Sequence, residues 1–393
     1  MMSRPELPAP NAAAVEHSIR LSALIRAEIA DRGAMAFSRF MELCLYAPGL
    51  GYYSAGARKF GAEGDFVTAP ELGAVFATTV ADALAPVLRQ LGQGARVLEL
   101  GGGSGAFAEA ALLRMAERGC LPDRYALLEP SADLRQRQHQ RLSALPAEIG
   151  QRVVWLDAPP DDDWCGVLFA NEVIDALPTP RFRIREGEVE EEHVDIAGEA
   201  GFATVWRPAD AMLSGAVRHV ERRLGRALPE GYRSEILPQL PWWIQAVAGS
   251  MRRGALLFVD YGYPRSEFYL PERRDGTLVC HYRHRKHDDP FFLPGLQDVT
   301  AFVDFTALAE AGVAAGFEFS GYCSQASFLL GNGLAESMQG LSVRDPIEHH
   351  RRVNEIKRLT LPGEMGERFQ VIGFEREVDF SHAFALGDLS HRL

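Results

Sequence analysis

The chain lacks three features that would each assign it to a class of protein: long apolar runs, paired cysteines and an excess of positive charge. None of its apolar runs approaches the roughly 18 residues that cross a bilayer, so we expect no membrane insertion. Its five cysteines are an odd number without a Cys-X-X-Cys pair, which indicates a reducing compartment. The start of the chain shows no basic region followed by an apolar one, and together these features predict a cytoplasmic protein.

Positive charge is scarce relative to negative charge. The 53 Asp and Glu residues outnumber the 41 Lys and Arg residues, and the formal net charge is −12. Nucleic acid is therefore not expected as the main partner, whereas a cationic ligand or a basic protein is. With 47% hydrophobic and 24% charged residues, the composition is that of an ordinary globular protein, and 393 residues suffice for two domains or one elaborate domain.

Short apolar runs alternate with helical stretches beyond residue 92, which is typical of a parallel sheet with helices on both faces. Five of these runs end at a polar or acidic residue, namely 96–100, 124–128, 153–156, 166–170 and 255–259. Because the carboxyl ends of parallel strands share one edge of a sheet, we expect an α/β, Rossmann-like fold with its ligand site at that edge. The runs 317–328 and 369–374 predict a closing antiparallel pair.

The same pattern divides the chain into three predicted parts. They are an N-terminal part of helices and a lid loop (1–92), the sheet core (93–178 and 254–393) and an inserted cap that faces the substrate (179–253). Within the first part, a Gly- and Tyr-rich stretch at 46–70 separates two predicted helices, 19–29 and 71–91.

A glycine-rich turn follows the first predicted strand. Gly101, Gly103 and Gly105 lie between that strand and a helix, whose N-terminal N–H groups attract an anion. The pattern also fits dinucleotide-binding proteins, or a turn that only packs strand on helix. Glu99, just before the glycines, disfavours a pyrophosphate and favours positive groups. S-adenosylmethionine fits these charges, since it carries an ammonium and a sulfonium but no phosphate.

Two further acids end the next two strands. Glu129 is positioned to accept hydrogen bonds from ribose hydroxyls, and Asp157 to meet the adenine amino group. Each has a simpler alternative, that of a solvated acid at the end of a strand. Together with Glu99 and the glycines, they make up the cofactor side of the predicted site.

Six longer motifs occur in order across about four fifths of the chain: FGAEGDFVTAPEL (60–72), LELGGGSG (98–105), ANEVIDALP (170–178), FVDYGY (258–263), PGLQDVTAFVDFTAL (294–308) and GERFQVIGF (366–374). With these motifs the chain resembles the MidA-like S-adenosylmethionine-dependent methyltransferases. That family includes the mitochondrial complex I assembly factor that methylates an arginine side chain. The first and fifth motifs are far more specific than a glycine turn.

The resemblance implies a class I methyltransferase fold with a seven-stranded, mostly parallel sheet. It implies S-adenosylmethionine as cofactor, S-adenosylhomocysteine as product and a protein substrate with an exposed arginine. In the characterised relatives, that arginine belongs to a subunit of the respiratory NADH dehydrogenase. A guanidinium is a poor nucleophile, so its methylation needs carboxylates that orient it. Glu172, Asp175 and Asn171, after the fourth strand, are the candidate catalytic residues. The alternative for the two acids is the acidic first turn of a helix.

The motif FGAEGDFVTAPEL supplies two more candidate cofactor-binding residues, Asp65 and Thr68. They lie on a Gly-rich loop that we expect to fold over the cofactor as a lid and to exclude water. The alternative is a surface loop tethered by Phe60 and Phe66.

Two other clusters are not assigned to the predicted site. The cysteine and histidines of residues 280–287 resemble metal ligands, but the basic residues between them repel a divalent cation, so no metal is predicted. A basic loop that binds an acidic partner is the preferred interpretation. Trp242 and Trp243 are expected in the core rather than as an exposed anchor.

Three other functions compete with protein arginine methylation. A small-molecule methyltransferase on the same scaffold would have a closed, apolar cap, whereas a peptide substrate needs an open acidic channel. A catalytically silent assembly chaperone would keep the fold without turnover, and a dehydrogenase would bind NADH instead. The sequence leaves the oligomeric state open, and a homodimer is compatible with it.

Overall fold

The computed structural model describes residues 7–54, 68–198, 201–339 and 346–393. Its strands are β1 (Met35–Ala36), β2 (Arg96–Leu100), β3 (Arg124–Leu128), β4 (Val153–Leu156), β5 (Trp164–Asn171), β6 (Arg181–Arg185), β7 (Glu188–Ala197), β8 (Gly201–Pro208), β9 (Arg233–Glu235), β10 (Met251–Tyr263), β11 (Val279–Tyr282), β12 (Arg285–His287), β13 (Asp298–Thr300), β14 (Val303–Asp304), β15 (Glu318–Ser324) and β16 (Phe369–Arg376).

The α-helices are α1 (Ala12–Arg32), α2 (Phe37–Tyr46), α3 (Ala69–Leu72), α4 (Val75–Leu91), α5 (Ala106–Glu117), α6 (Ala132–Leu142), α7 (Ala147–Gly150), α8 (Ala211–Leu224), α9 (Leu240–Ala248), α10 (Arg265–Phe268), α11 (Phe305–Ala314), α12 (Gln325–Gly331), α13 (Leu334–Gln339), α14 (Pro346–Thr360) and α15 (Met365–Arg368). Two 3-10 helices lie at Ser381–Phe384 and Ser390–Arg392.

Seven strands of the eight-stranded main sheet lie side by side, in the order β15-β16-β10-β5-β2-β3-β4. The pairs from β10 to β4 along this order are all parallel. By contrast, β16 runs antiparallel to both β10 and β15. The predicted α/β fold with a mostly parallel sheet is therefore confirmed, with the expected seven strands along this order, and so is the closing antiparallel pair.

Successive side chains of a strand bury opposite faces of this sheet. Leu257 of β10 lies in one apolar cluster with Phe76 of α4 and Phe107 of α5. Phe258, the next residue, contacts Trp243 of α9 on the other face, with ring centroids 6.3 Å apart. Helices therefore cover both faces, and a strand buried on both faces gives the continuous apolar run that is visible in the sequence.

The helix predicted at 71–91 is two helices, α3 and α4, which Gly73 and Ala74 separate. A Cβ atom at Gly73 would lie 2.2 Å from a carboxylate oxygen of Glu355, on α14. The same carboxylate accepts a hydrogen bond from the N–H of Val75 at 2.7 Å and so caps α4, since Ala74 has no side-chain acceptor. A contact from 280 residues further along the chain therefore divides the helix.

The chain forms two compact units whose boundaries differ from the predicted domains. The first contains the described residues of Met1–Phe66, Ile174–Gln239 and Tyr263–Asp304, and the second contains those of Val67–Val173, Leu240–Gly262 and Phe305–Leu393. Residues 68–92 thus belong with the sheet, because α4 buries its apolar side chains in the core of the sheet. Residues 263–304, which were predicted in the core, belong to the first unit instead.

The first unit is built on two antiparallel sheets. The larger has the order β1-β7-β6-β9, with β8 on β7, and the smaller has the order β12-β11-β13. The N-terminal helices join this unit because β1, between them, pairs with β7 at Met35 and Val194. Separately, Val217 of α8 packs in one apolar cluster with Phe182 of β6. Among the described residues of the whole chain, no helix is long and apolar enough to cross a membrane.

Candidate functional site

The glycine-rich turn connects β2 to α5 at the carboxyl end of the sheet. Gly101, Gly103 and Gly105 have φ angles of +62°, +51° and +81°, a left-handed region that favours glycine. The N–H of Gly101 donates to the carbonyl of Leu128 at 3.0 Å, which ties the turn to the end of β3. Gly105 directly precedes α5, so the free N–H groups of the first helical turn lie at this turn and suit a carboxylate.

Glu99 lies near the end of β2 and is only 3% exposed. Its Oε2 accepts a hydrogen bond from the Tyr125 hydroxyl at 2.7 Å. Burial raises the pKa of Glu99 from 4.5 to about 8, although the Tyr125 hydrogen bond lowers it, and the charge of Glu129 raises it further. Glu99 is therefore not the fixed negative charge expected from the sequence, and a cation bound beside it would favour its charged form.

Glu129 is buried just beyond the end of β3. Its Oε1 accepts a hydrogen bond from the N–H of Ser131 at 3.0 Å, and its Oε2 accepts one from Gln138 Nε2 at 3.3 Å. These two hydrogen bonds orient the Glu129 carboxylate, which is an acceptor suited to hydroxyl groups. Gln138 was missed in the sequence analysis because it lies in a polar helix with no recognisable motif.

Unlike Glu99 and Glu129, Asp157 is not buried. Its side chain is 94% exposed and pairs with Arg135 Nη1 at 2.7 Å. Arg135 also donates to the backbone carbonyls of Glu129 and Leu156, so it crosses the ends of β3 and β4. Because its carboxylate is exposed, the structure favours the alternative interpretation of Asp157 as a solvated acid at the end of a strand.

The two candidates on the predicted lid differ in what the structure shows. Thr68 is buried at the start of α3, but its side chain does not cap that helix. Asp65 lies outside the described residues. A neighbour missed by sequence reasoning is Glu71 of α3, whose Oε1 accepts a hydrogen bond from the hydroxyl of Ser104 in the glycine turn. Its signal was present, since Glu71 belongs to the quoted motif that ends in APEL.

Glu172 follows β5 in a strained backbone conformation, with φ of +53°. Its N–H donates to the carbonyl of Val259 at 2.9 Å, and its Oε1 accepts a hydrogen bond from Asn171 Nδ2 at 3.1 Å. Glu186 has a similar φ of +54°, but it lies in the two-residue hairpin turn between β6 and β7, where such angles belong. No hairpin explains Glu172, and unexplained strain of this kind concentrates at functional positions.

The amide oxygen of Asn171 is buried and has no hydrogen-bond partner among the described residues. Its Nδ2 donates a hydrogen bond to Glu172. A buried carbonyl oxygen without a partner costs free energy, so it suits a ligand N–H. No helix follows β5, because residues 172–180 form bends and turns. The alternative for Glu172 and Asp175, an acidic first turn of a helix, is therefore wrong.

Asp175 belongs to the first unit, where it is buried. Its backbone carbonyl accepts a hydrogen bond from the N–H of Ala301 at 3.0 Å. Nearby, the Tyr53 hydroxyl donates to Oδ1 of buried Asp298 at 2.9 Å. Burial raises the pKa of Tyr53 well above 10, and the charges of Asp298 and Asp175 add to the effect. Two buried acids of this unit therefore raise the pKa of the same tyrosine, Tyr53.

Two other clusters were noted in the sequence, the cysteine and histidines of residues 280–287 and the pair Trp242 and Trp243. Among the described residues, no group of three or more His, Cys, Asp or Glu side chains is arranged to hold a metal ion. Cys280 and His287 are register partners in the hairpin of β11 and β12. Trp243 is half-buried against Phe258, but Trp242 is 63% exposed, so the expectation of a core position is wrong for Trp242. The helix α9 turns it outward.

The strand order and the acids around the glycine turn define a class I methyltransferase. A family model described as "Putative S-adenosyl-L-methionine-dependent methyltransferase" matches residues 79–323, and the chain belongs to this family. A crystal structure of a protein from Burkholderia thailandensis bound to S-adenosyl-homocysteine is 42% identical, with a TM-score of 0.92 over 99% of this chain and 100% of that one. The predictions of methyltransferase activity and of S-adenosylmethionine as cofactor are confirmed.

Curated relatives carry a more specific name. The chain is 28% identical to "Protein arginine methyltransferase NDUFAF7, mitochondrial" of Danio rerio, over 88% of this chain and 84% of the relative. It is 24% identical to the Homo sapiens protein of the same name, over 87% and 80%. These names contradict the expectation of a cytoplasmic protein, since the relatives are named as mitochondrial. Unpaired cysteines indicate a reducing compartment, which does not single out the cytoplasm.

Proposed function

We propose that this methyltransferase acts on an arginine side chain of a protein. The observation that carries the proposal is Glu172, a carboxylate held by Asn171 in a strained conformation at the end of β5. A site that binds a guanidinium needs oriented carboxylates of this kind. The names of the curated relatives and the net charge of −12, which suits a basic acceptor, support the same substrate class.

On the cofactor side, the residues at the ends of β2 and β3 suit the chemical groups of S-adenosylmethionine. The start of α5 suits its carboxylate, the Glu99 carboxyl suits its ammonium, and the buried Glu129 carboxylate suits its ribose hydroxyls. We assign Gly101, Gly103 and Gly105 to the same set, because their left-handed backbone lets a ligand approach closely. Asp157 is left out of this set, since its carboxylate is exposed and paired with Arg135.

On the acceptor side, Glu172 orients the guanidinium, and the Asn171 carbonyl accepts one of its N–H groups. The catalytic role of Asp175, which belongs to the first unit, stays a prediction. S-adenosylmethionine, when bound, supplies a methyl group whose bond to sulfur breaks as its bond to a guanidinium nitrogen forms. That nitrogen loses a proton, and a neighbouring carboxylate accepts it. The chain forms no covalent intermediate in this scheme, so its residues act by orientation and by charge.

Peptide methylation tests the proposal. The chain is incubated with methyl-labelled S-adenosylmethionine and arginine-containing peptides, among them peptides of respiratory NADH dehydrogenase subunits, and mass spectrometry locates the label. We expect methylated arginine. Glu172→Gln and Asp175→Asn should lose turnover at unchanged affinity for S-adenosylhomocysteine. Glu186→Gln is the matched control, since Glu186 shares the left-handed backbone but lies in an exposed hairpin turn.

Each other outcome of this experiment points to a different function. Label on free guanidino compounds but not on peptides would show a small-molecule methyltransferase. Binding of S-adenosylhomocysteine without turnover on any acceptor would show an assembly chaperone that has lost catalysis. Full turnover by the Glu172→Gln variant would remove Glu172 from the acceptor side. Light scattering on the purified chain would establish whether it is a homodimer.

A further inference from the structure

Gln138 of α6 lies among three groups on the cofactor side. Its side chain is fully buried, at 0% exposure. Its Nε2 donates to the carbonyl of Gly103 at 2.9 Å and to Oε2 of Glu129 at 3.3 Å, while its Oε1 accepts a hydrogen bond from the indole N–H of Trp155 at 2.9 Å. One amide thus connects the glycine turn, the end of β3 and the strand β4.

Only an amide satisfies all three partners. The indole of Trp155 can only donate, whereas the carbonyl of Gly103 and the carboxylate of Glu129 accept. Rotating the amide by half a turn would break all three bonds, so its orientation is fixed. Methionine fills a similar volume but forms none of these bonds, and glutamate would place an acceptor against two acceptors.

Gln138 also packs closely against the glycine turn. A Cβ atom at Gly105 would lie 3.4 Å from Cα of Gln138, and one at Gly102 would lie 3.3 Å from its Nε2. The helix α6 therefore approaches the glycine turn closely through this residue. Gln138 is therefore in direct contact with the turn as well as with Glu129.

We infer that Gln138 is a positioning residue. It fixes the position of the glycine turn relative to Glu129, so that the amino-acid end and the ribose of the cofactor bind at the same time. This inference rests on the proposed cofactor side. The turn suits the carboxylate of the ligand and Glu129 suits its ribose, and Gln138 bonds to both. Without this bridge, the two parts of the site adjust independently and a ligand must order them on binding.

Calorimetric titration of the full chain with S-adenosylhomocysteine tests this inference. Gln138→Met should weaken binding about tenfold, the effect of losing roughly one hydrogen bond to a charged group. The matched control is Gln136→Met, two residues away on the exposed side of the same helix. Binding of 5′-methylthioadenosine, which has the ribose but not the amino-acid end, should be weakened less, because only the contact through Glu129 is affected.

A double-mutant cycle separates positioning from a structural role. Glu129→Gln should weaken binding strongly in the wild-type chain and much less in the Gln138→Met chain, because Glu129 is already misplaced there. In steady state, Gln138→Met should raise the KM for S-adenosylmethionine with kcat nearly unchanged at saturation. Additive effects, or a lower unfolding midpoint with unchanged affinity, would overturn the inference.

A second variant keeps the inference testable if Gln138→Met does not fold. Trp155→Phe removes the N–H that fixes the amide but keeps a ring to stack on His139, whose centroid is 3.6 Å from that of Trp155. We expect about threefold weaker binding, and unchanged binding would overturn the role of Gln138. If the wild-type chain does not bind S-adenosylhomocysteine at all, the proposed cofactor side fails as a whole. If it does bind and Glu129→Gln alone weakens binding, only the inference about Gln138 fails.

Discussion

We expect Glu99 to couple cofactor binding to protonation, because the proposed cofactor side brings an ammonium next to its carboxyl group. Burial raises its pKa to about 8, so the carboxyl is mostly protonated at neutral pH in the free protein. An ammonium bound beside it lowers that pKa, and we expect binding of S-adenosylhomocysteine at pH 7 to release up to about one proton. Titration in buffers of different ionisation enthalpy measures this release. Glu99→Gln should abolish it, and a wild-type binding enthalpy that does not depend on the buffer would contradict the contact.

The same pKa shift determines how stability depends on pH. Because the folded-state pKa lies above the ordinary value of 4.5, the folded protein binds more protons than the unfolded chain between pH 4.5 and about 8. The contribution of Glu99 to the free energy of unfolding therefore falls as pH rises through this range. Glu99→Gln should gain stability relative to wild type toward pH 8, as measured by urea unfolding at several pH values. A constant difference would show that Glu99 is ionised throughout.

The backbone of Glu172 carries strain that glycine would relieve. A left-handed conformation costs a residue other than glycine about 1–3 kcal/mol, and part of the gain is offset by the greater freedom of glycine when unfolded. Glu172→Gly should therefore raise the free energy of unfolding by about 1 kcal/mol and abolish methylation. Glu186→Gly should gain similar stability with activity intact. Loss of stability at position 172 alone would mean that the carboxylate stabilises the fold.

At the scale of elements, the cap on α4 is supplied by a distant helix. Glu355 of α14 accepts the hydrogen bond from the N–H of Val75, and burial raises the pKa of Glu355 while that bond lowers it. Glu355→Ala should lower the free energy of unfolding by about 1–2 kcal/mol, as the loss of a helix cap does. Urea unfolding checks this value against Glu348→Ala, an exposed acid of the same helix. Equal stability of the two variants would contradict the capping role.

The elements that sequence patterns predict well are those buried on both faces. The strands β2 to β5 and β10 were predicted because successive side chains face apolar surroundings and give continuous runs. Contacts between distant residues were not predictable. The division of the helix at Gly73 depends on Glu355, and the domain boundaries depend on the pairing of β1 with β7.

The residues of the proposed site also differ in how visible they are in the sequence. Glu99 and Glu129 were singled out because acids that end buried strands stand out against apolar runs, and their contact with the cofactor stays a prediction. Gln138 was invisible, since its polar neighbours in α6 make a buried amide look like a surface residue. Asp157 was predicted on the cofactor side, because the sequence does not show that its carboxylate is exposed and pairs with Arg135.

At the scale of the whole molecule, two compact units with separate apolar clusters share one chain. One cluster lies on the seven-stranded sheet around Phe76 and Phe107, and another lies under β6 around Phe182 and Val217. Units with their own cores open with their own free energies, so the free energies of unfolding predicted above for changes at positions 99, 172 and 355 are those of the second unit. All the residues of the proposed cofactor side that the structure describes belong to the second unit.

Hydrogen exchange with and without S-adenosylhomocysteine tests this division. A ligand at about 100 times its Kd stabilises the unit that binds it by ~2.7 kcal/mol, which slows exchange through opening of that unit about a hundredfold. We expect this protection in β2, β3 and β5 and none in β6, β7 and β8, which belong to the first unit. Glu129→Ala should reduce the protection at the same ligand concentration, because it raises the Kd. Equal protection of both sets of strands would show that the chain opens as one cooperative body, and protection confined to β6, β7 and β8 would move the cofactor to the other unit.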